Sequence, residues 1–369
     1  MKRSHQKSKR LTLTQRNHCR GEDEIVYQDM PEFDQHRAST SSKKASSAAK
    51  VQGACQAVRR WSERSKGDAG QRETNHLWLD NVCIDKRDPF ELSASINSMY
   101  KWYRQAAMCF AYLSDFQRDD PSSEIAQSKW FTRGWTLQEL VAPKNVMFFD
   151  RDWQYLGDRE SLQPILTSRT NISRHFLLHS DDIRRASISQ RMSWFSGRQT
   201  TVPEDIAYCL LGLFDVSMPL LYGEGAERAF RRLQEEIMRY SDDHSLFAWK
   251  IPTTKGSPSP SPCGLLAGSP LYFQDTGGYE HMASENTDQP FQMTNKGIYI
   301  QLYIQERKDC YVASFDCPHG NSYYLGMYLK RHEQGTDRYY RVQTDRLCLV
   351  DINGRGNPKR IYVKAPDQA

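Results

Sequence analysis

Between residues 77 and 150 the sequence alternates short apolar runs with amphipathic stretches. The apolar runs LWLDNVCI (77–84), MCFAYL (108–113) and NVMFFD (145–150) have the length and composition of buried strands. Strands that alternate with helices at this spacing predict a parallel sheet covered on both faces. We therefore expect an α/β domain with a doubly wound, mostly parallel sheet.

Two helices are predicted between these strands. The first begins after Asp88 as the N-cap, with Pro89 at the first helical position and Glu91 at the third. Its apolar residues recur at helical spacing and form one face, which consists of Leu92, Ile96, Met99, Tyr100 and Tyr103. The second helix is RGWTLQELVA (133–142), which ends before Pro143.

The C-terminal half divides into three parts. Residues 186–249 are predicted to be helical, including EDIAYCLLGLF and GAERAFRRLQEEIMRY. Residues 250–263 are rich in Pro, Ser and Gly and read as a linker. Beyond it, residues 264–369 contain segments of period-two alternation such as GIYIQLYI and SYYLGMYLK, which predict a smaller antiparallel β domain.

The charge of the chain is concentrated at its start. The first 20 residues carry seven Lys or Arg and no acid, whereas the whole chain carries a net charge of +5, so the remainder is slightly acidic. Residues 1–16 are interpreted as a basic disordered arm. A nucleic-acid-binding surface is not expected, because basic residues do not extend over the folded part.

Composition also limits the compartment. No apolar run approaches the roughly 20 residues that span a bilayer, and residues 1–16 lack the apolar core of a secretory signal. The nine cysteines are an odd number and are scattered, which favours reduced thiols over a disulfide framework. We expect a cytoplasmic protein, with nuclear import by the basic arm as an alternative.

Several phrases together resemble the fungal heterokaryon-incompatibility (HET) domain. They are LWLDNVCIDK, ELSASINSMYKWYRQAAMCFAYLSD, WFTRGWTLQELVAPKNVMFFD, ISQRMSWFSGRQTTVPEDIAYCLLGLFDVSMPLLYGEG and AFRRLQEEIMRYSDDHSLFAW, which cover about 77–249. The β-rich region from 264 onward looks like the accessory domain that often follows. The resemblance implies a role in nonself recognition and programmed cell death, through self-association or protein partners.

The resemblance also gives the stretch NHCRGEDEIVYQDM (17–30) a register. The family begins with a strand that ends in a Ser-His-x-Trp-Gly turn, on which residues 17–21 fall. His18 and Gly21 match this turn, whereas Asn17 and Arg20 replace the Ser and the Trp. The HET-like domain is therefore predicted to cover residues 17–249. Alternatively, the chain is a degenerate or mispredicted copy of the family whose first strand was lost.

HET domains are more remotely similar to TIR domains, some of which cleave NAD at its nicotinamide glycosidic bond. The TIR glutamate lies in a Trp-x-x-x-Glu phrase, which GWTLQEL matches with Trp135 and Glu139. Nicotinamide leaves as a neutral group, so one carboxylate that stabilises the oxocarbenium-like charge is enough. Glu139 is the catalytic candidate, and the alternative is a solvated glutamate or one paired with Arg133 or Lys144.

Further candidates follow from the expected sheet. Ligands bind such sheets at the carboxyl ends of the strands, which draws attention to Asp85, Ser114, Asp115 and Asp150. The candidate ligand-binding residues are His18, Gly21, Asp80, Asp85, Arg133 and Trp135. Asp80 is expected inside the first strand. No metal site and no cofactor are predicted, and NAD enters only as the substrate of the enzyme interpretation.

The opening turn yields a direct test. If residues 17–21 occupy the family's turn, restoring its tryptophan with Arg20→Trp should raise the free energy of unfolding or the biological activity, because an aromatic side chain returns to a site shaped for it. Denaturant unfolding and a cell-death assay measure the two effects. No change in either would contradict the register, and Arg16→Trp, outside the turn, is the control.

Overall fold

The computed structural model describes residues 53, 55–56, 77–120, 124–180, 182–254, 260–279, 290–333 and 335–365. The predicted basic arm and the opening turn with His18 and Gly21 lie outside these ranges. The described chain contains a small α/β unit, a helical region and a C-terminal β-rich region.

The α/β unit contains three short strands. Its elements are α1 (Asp80–Cys83), α2 (Pro89–Gln105), β1 (Cys109–Tyr112), α3 (Thr136–Val141), β2 (Val146–Phe149) and β3 (Tyr155–Asp158). The strands β1 and β2 pair in parallel, with Cys109 opposite Val146, which confirms the predicted parallel pair. The sequence analysis missed β3, which runs antiparallel to β2 and follows it through a tight turn.

The prediction of a strand at 77–84 was wrong. Residues 80–83 form the helical turn α1, and the Cys83 amide donates to the Leu79 carbonyl at 2.8 Å. Asp80 is exposed and its carboxylate lies 3.6 Å from the Lys86 ammonium group. A short apolar run fits either a strand or a helix, and the solvated Asp80 is incompatible with the buried strand position that we had expected for it.

The helix α2 begins as predicted. The Asp88 carboxylate accepts hydrogen bonds from the amides of Phe90 and Glu91, and Pro89 occupies the first helical position. The Glu91 carboxylate accepts from the Asp85 amide at 2.9 Å, and the Asp88 amide donates to the Asp85 carbonyl rather than to Glu91. Ile96 and Met99 of the predicted apolar face are buried in the core.

The helical region begins at residue 163, earlier than the predicted start at residue 186. Its helices are α4 (Gln163–Thr170), α5 (Arg174–Leu177), α6 (Ile188–Ser193), α7 (Asp205–Tyr208), α8 (Leu211–Phe214) and α9 (Ala226–Ile237). The segment EDIAYCLLGLF thus forms two short helices rather than one. The N-cap of α9 is Gly225, whose φ of +85° favours glycine.

The described residues of the C-terminal region form seven strands. They are β4 (Gln292–Thr294), β5 (Gly297–Glu306), β6 (Tyr311–His319), β7 (Tyr323–Arg331), β8 (Arg338–Val342), β9 (Cys348–Asp351) and β10 (Asn357–Val363). Most pairs are antiparallel, as predicted, but β10 lies parallel to β8 and antiparallel to β5. This final strand closes β5, β6, β7, β8 and β10 into a ring, which the local pattern did not reveal.

A buried arginine connects the helical and β-rich regions. The guanidinium of Arg341, on β8, donates to the carbonyls of Phe247 and Trp249 and lies 3.9 Å from the centre of the Trp249 ring. The Ile251 amide also donates to the Thr344 carbonyl at 2.7 Å. The described ends of the 250–263 segment therefore run along the β-rich region, and the division of the chain at this segment stays a prediction.

The contact between α8 and α2 requires a glycine. A Cβ atom on Gly212 would lie 2.0 Å from the Cβ of Tyr100, far closer than two carbon atoms can approach. Gly212→Ala should therefore lower the free energy of unfolding by about 1–3 kcal/mol, because the two helices must separate. Denaturant unfolding measures this loss. Gly197→Ala is the control, because nothing lies within 4 Å of a Cβ at that exposed position.

Candidate functional site

The start of α3, the helix that carries Glu139, is held by a buried arginine. The guanidinium of Arg198, which is 6% exposed, donates to the Arg133 carbonyl and to the Thr136 hydroxyl, both at 2.8 Å. The Thr136 hydroxyl in turn donates to the Arg133 carbonyl at 2.9 Å. A six-residue helix is unstable alone, so these tertiary contacts fix where α3 begins.

A second buried arginine holds the end of α3. The Arg159 guanidinium donates to the carbonyls of Leu140 at 3.0 Å, Pro143 at 2.8 Å and Lys144 at 2.5 Å. The last carbonyls of a helix lack partners within the helix, and a basic side chain can satisfy them. Burial lowers the pKa of Arg159 to about 10, so this guanidinium is still charged at neutral pH.

Glu139 projects from α3 into a pair of hydrogen-bond donors. The Trp130 indole donates to one carboxylate oxygen at 3.2 Å, and the Tyr103 hydroxyl donates to the other at 3.4 Å. Tyr103 comes from α2, and Trp130 comes from the 3₁₀ turn Lys129–Thr132. The half-buried carboxylate is thus fixed by two aromatic side chains, whereas the sequence analysis had considered a solvated glutamate or an ion pair.

The charge environment of Glu139 disfavours ionisation. Burial raises the pKa of this carboxyl, Arg133 opposes that effect, and the Asp80 carboxylate adds to it. The hydrogen bonds from Trp130 and Tyr103 also lower the pKa, but burial is the largest cause. Burial, together with Glu139, likewise raises the pKa of the Tyr103 hydroxyl well above its ordinary value.

The site lies toward the amino end of β1. Cys109, the first residue of that strand, is buried, and the pKa of its thiol is raised by burial and then by Glu139. At the carboxyl end, the Asp115 carboxylate accepts from the Ser128 hydroxyl and the Lys129 amide. The carboxylate of Asp150, also at that end, accepts from the backbone amides of Arg118, Asp152 and Gln154. These two acids organise turns, and they do not meet Glu139.

The structure brings together only some of the candidate residues. Asp80 and Arg133 lie within electrostatic reach of Glu139. Asp85 forms a local ion pair with Arg87 at 2.8 Å, and the hydrogen bonds from Arg87 lower the pKa of Asp85 to about 2. His18 and Gly21 lie outside the described residues.

Trp135 makes its contact away from Glu139. Its indole donates to the Asp205 carboxylate at 3.0 Å, across 70 positions of the sequence. The sequence analysis found neither Asp205 nor the arginines that hold α3, because a residue that contacts α3 from a distant segment leaves no local periodicity. Trp130 could have been noticed, since it stands close to Trp135 in the same phrase.

Two family models match parts of the chain. Residues 17–122 match the model described as heterokaryon incompatibility protein (HET), and residues 228–265 match a domain of unknown function, DUF8212. The HET match begins at the residue where the sequence analysis placed the opening turn. This match ends before Arg133, Trp135 and Glu139. Over residues 17–122 the chain is thus similar to the heterokaryon-incompatibility (HET) class of proteins.

The particular relative that supports this class is a curated fungal protein. The chain is 48% identical over 169 residues to vegetative incompatibility protein HET-E-1 of Podospora anserina, over 44% of this chain and 12% of that protein. The chain therefore covers only a small part of that relative's length. No solved structure matches the chain. In the described ranges, no helix is long and apolar enough to cross a membrane.

The raised pKa of Glu139 predicts a pH dependence of stability. A group whose pKa rises on folding stabilises the fold below its ordinary pKa of 4.5, and this stabilisation is lost as pH rises through the folded-state pKa. Glu139→Gln removes the titration while retaining an acceptor for Trp130. We expect its free energy of unfolding, relative to wild type, to increase from pH 4 to pH 7.

Denaturant unfolding across that pH range measures the difference. Glu160→Gln is the matched control, because Glu160 is an exposed acid that lies two residues after the end of β3. The difference in free energy of unfolding between Glu160→Gln and wild type should stay the same across that pH range. A Glu139→Gln difference that is also flat would contradict the electrostatic description of the site.

Proposed function

We propose that the chain is a vegetative-incompatibility signalling protein that acts in nonself recognition and programmed cell death. The observation that carries this proposal is the HET-family match together with 48% identity to a protein named for vegetative incompatibility. In this proposal the HET domain of residues 17–249 self-associates or binds a protein partner in the cytoplasm. The β-rich region of residues 264–369 tunes that contact as an accessory domain.

The geometry of Glu139 supports a binding role over catalysis. Each of its carboxylate oxygens already accepts a hydrogen bond from an internal donor, Trp130 or Tyr103. By accepting hydrogen bonds from an indole and a phenol, this half-buried carboxylate joins three elements of the fold. Losing the acceptor would leave both donors unpaired, which costs free energy of folding. The three elements are α2, the turn Lys129–Thr132 and α3.

A second function is favoured by one observation at the same site. The Glu139 carboxylate contacts the aromatic side chains of Trp130 and Tyr103, and the Trp78 ring lies 5.7 Å from the Tyr103 ring. Aromatic faces suit a nicotinamide ring, and a carboxylate suits the charge that develops when its glycosidic bond breaks. This alternative is a TIR-like NAD glycohydrolase built on a doubly wound sheet, of which β1 and β2 supply a parallel pair.

In the enzyme alternative the remaining candidates contact the substrate. Arg133 and Asp80 lie within electrostatic reach of Glu139, which suits contacts near the reacting bond. His18, Gly21, Asp85 and Trp135 complete the set proposed from the resemblance. NAD is the substrate, and the reaction requires no resident cofactor.

One experiment separates the two functions. The full chain is fused to a drug-inducible dimerisation module and expressed in a filamentous fungus, and cell death and cellular NAD are measured after induction. The binding proposal predicts death with NAD unchanged, and equal death for wild type and Glu139→Gln. The glutamine variant keeps the hydrogen bonds at position 139 and removes only the carboxylate charge.

The opposite outcome supports the enzyme. NAD loss in wild type that falls by at least about 100-fold in Glu139→Gln, while Glu160→Gln behaves as wild type, would overturn the binding proposal, since removing a catalytic electrostatic group costs rates of that order. Absence of both death and NAD loss in a dimerised, folded chain would contradict both functions.

A further inference from the structure

Asp205 joins two segments that are distant in sequence. One of its carboxylate oxygens accepts from the Trp135 indole and the other accepts from the Tyr222 hydroxyl, each at 3.0 Å. Asp205 is the first residue of α7 and is half-buried. Both oxygens are therefore engaged, one toward the start of α3 and one toward the loop that precedes α9.

The loop of residues 221–225 is anchored by α7 and the residue before it, and Glu224 of the loop also pairs with Arg232 of α9. The buried Glu204 carboxylate accepts from the amides of Gly223 and Gly225, at 2.9 and 2.8 Å. The Tyr208 hydroxyl accepts from the Leu221 amide at 2.7 Å. These bonds hold the loop backbone, and the bond to Asp205 holds its Tyr222 side chain.

The same loop faces solvent with apolar groups. Leu221 is 51% exposed and Tyr222 is 44% exposed, although the Tyr222 hydroxyl is bonded inward to Asp205. A displacement of the Tyr222 ring would therefore pull on Asp205 directly. The Tyr208 ring packs against the Tyr222 ring at 5.3 Å, which limits the ring to a small set of positions.

On the other side, Asp205 reaches the helix of Glu139. Trp135 immediately precedes α3, and its side chain and that of Glu139 are one helical turn apart. Lys86 forms a second, electrostatic connection. Its positive charge lowers the pKa of Asp205, and its ammonium group lies 3.6 Å from the Asp80 carboxylate. Asp80 in turn raises the pKa of Glu139. The two routes start at the same carboxylate.

We propose that Asp205 is a positioning residue that couples the exposed loop 221–225 to α3, so that a displacement of the Tyr222 side chain changes the position of α3 and of Glu139 on it. The coupling itself is a property of the hydrogen bonds to Trp135 and Tyr222.

The test follows the Trp135 indole by NMR in the full chain labelled with ¹⁵N-tryptophan, with its resonance assigned by Trp135→Phe. Tyr222→Phe removes a hydroxyl but keeps the ring, so ring-current effects on neighbouring nuclei are retained. We expect the Trp135 indole proton to shift and to exchange with solvent on the order of threefold to tenfold faster, as expected for weakening one hydrogen bond.

Two substitutions at Asp205 show whether the effect passes through this carboxylate. Asp205→Leu has a similar shape and no acceptor, so Tyr222→Phe should have no additional effect in its background. Asp205→Asn should restore the coupling, because its amide oxygen accepts from Trp135 and its amide nitrogen donates to the Tyr222 oxygen. Tyr240→Phe, at a phenol that is 76% exposed, is the control.

Two outcomes would overturn the proposal. They are an unchanged Trp135 resonance in Tyr222→Phe, and an effect of Tyr222→Phe that persists in Asp205→Leu. If Asp205→Leu does not fold, as judged by circular dichroism, Tyr222→Phe against Tyr240→Phe decides alone. Cell death and NAD in the same variants are separate readouts, so a failure of the proposed function leaves the NMR result interpretable.

Discussion

Buried arginines that donate to backbone carbonyls are the interaction on which this structure depends. Arg198 and Arg159 hold the two ends of α3, and Arg341 holds the chain where the helical region meets the β-rich region. Burial lowers the pKa of each to about 10, so all three remain charged at neutral pH. Truncating any of them would leave several buried carbonyls unpaired, a loss that a short helix cannot absorb.

Half-buried carboxylates supply the complementary interaction. Glu139 accepts from Trp130 and Tyr103, and Asp205 accepts from Trp135 and Tyr222. Each carboxylate therefore joins aromatic side chains from different segments, and each has a pKa raised chiefly by burial. The same arrangement serves a signalling module, in which contacts must be transmitted, and an enzyme, in which a carboxylate must be placed accurately.

Some of the fold was predictable because its signals are local. The N-cap at Asp88, the apolar face of α2 and the strands β1 and β2 all follow from residues within a few positions of one another. The error at α1 arose because an eight-residue apolar run fits a strand or a helix. The closure of the β-rich ring was missed because β10 pairs with β5 across more than fifty residues.

The sequence by itself determined the resemblance to the HET domain, the position of the parallel pair and Glu139 as a residue of interest, since motif spacing and periodicity are written along the chain. Only the tertiary structure decided what Glu139 contacts, that Asp80 is exposed, and that Trp135 turns to Asp205. The physical reason is that hydrogen-bond partners and burial depend on segments that meet only after folding, and such meetings leave no pattern within either segment.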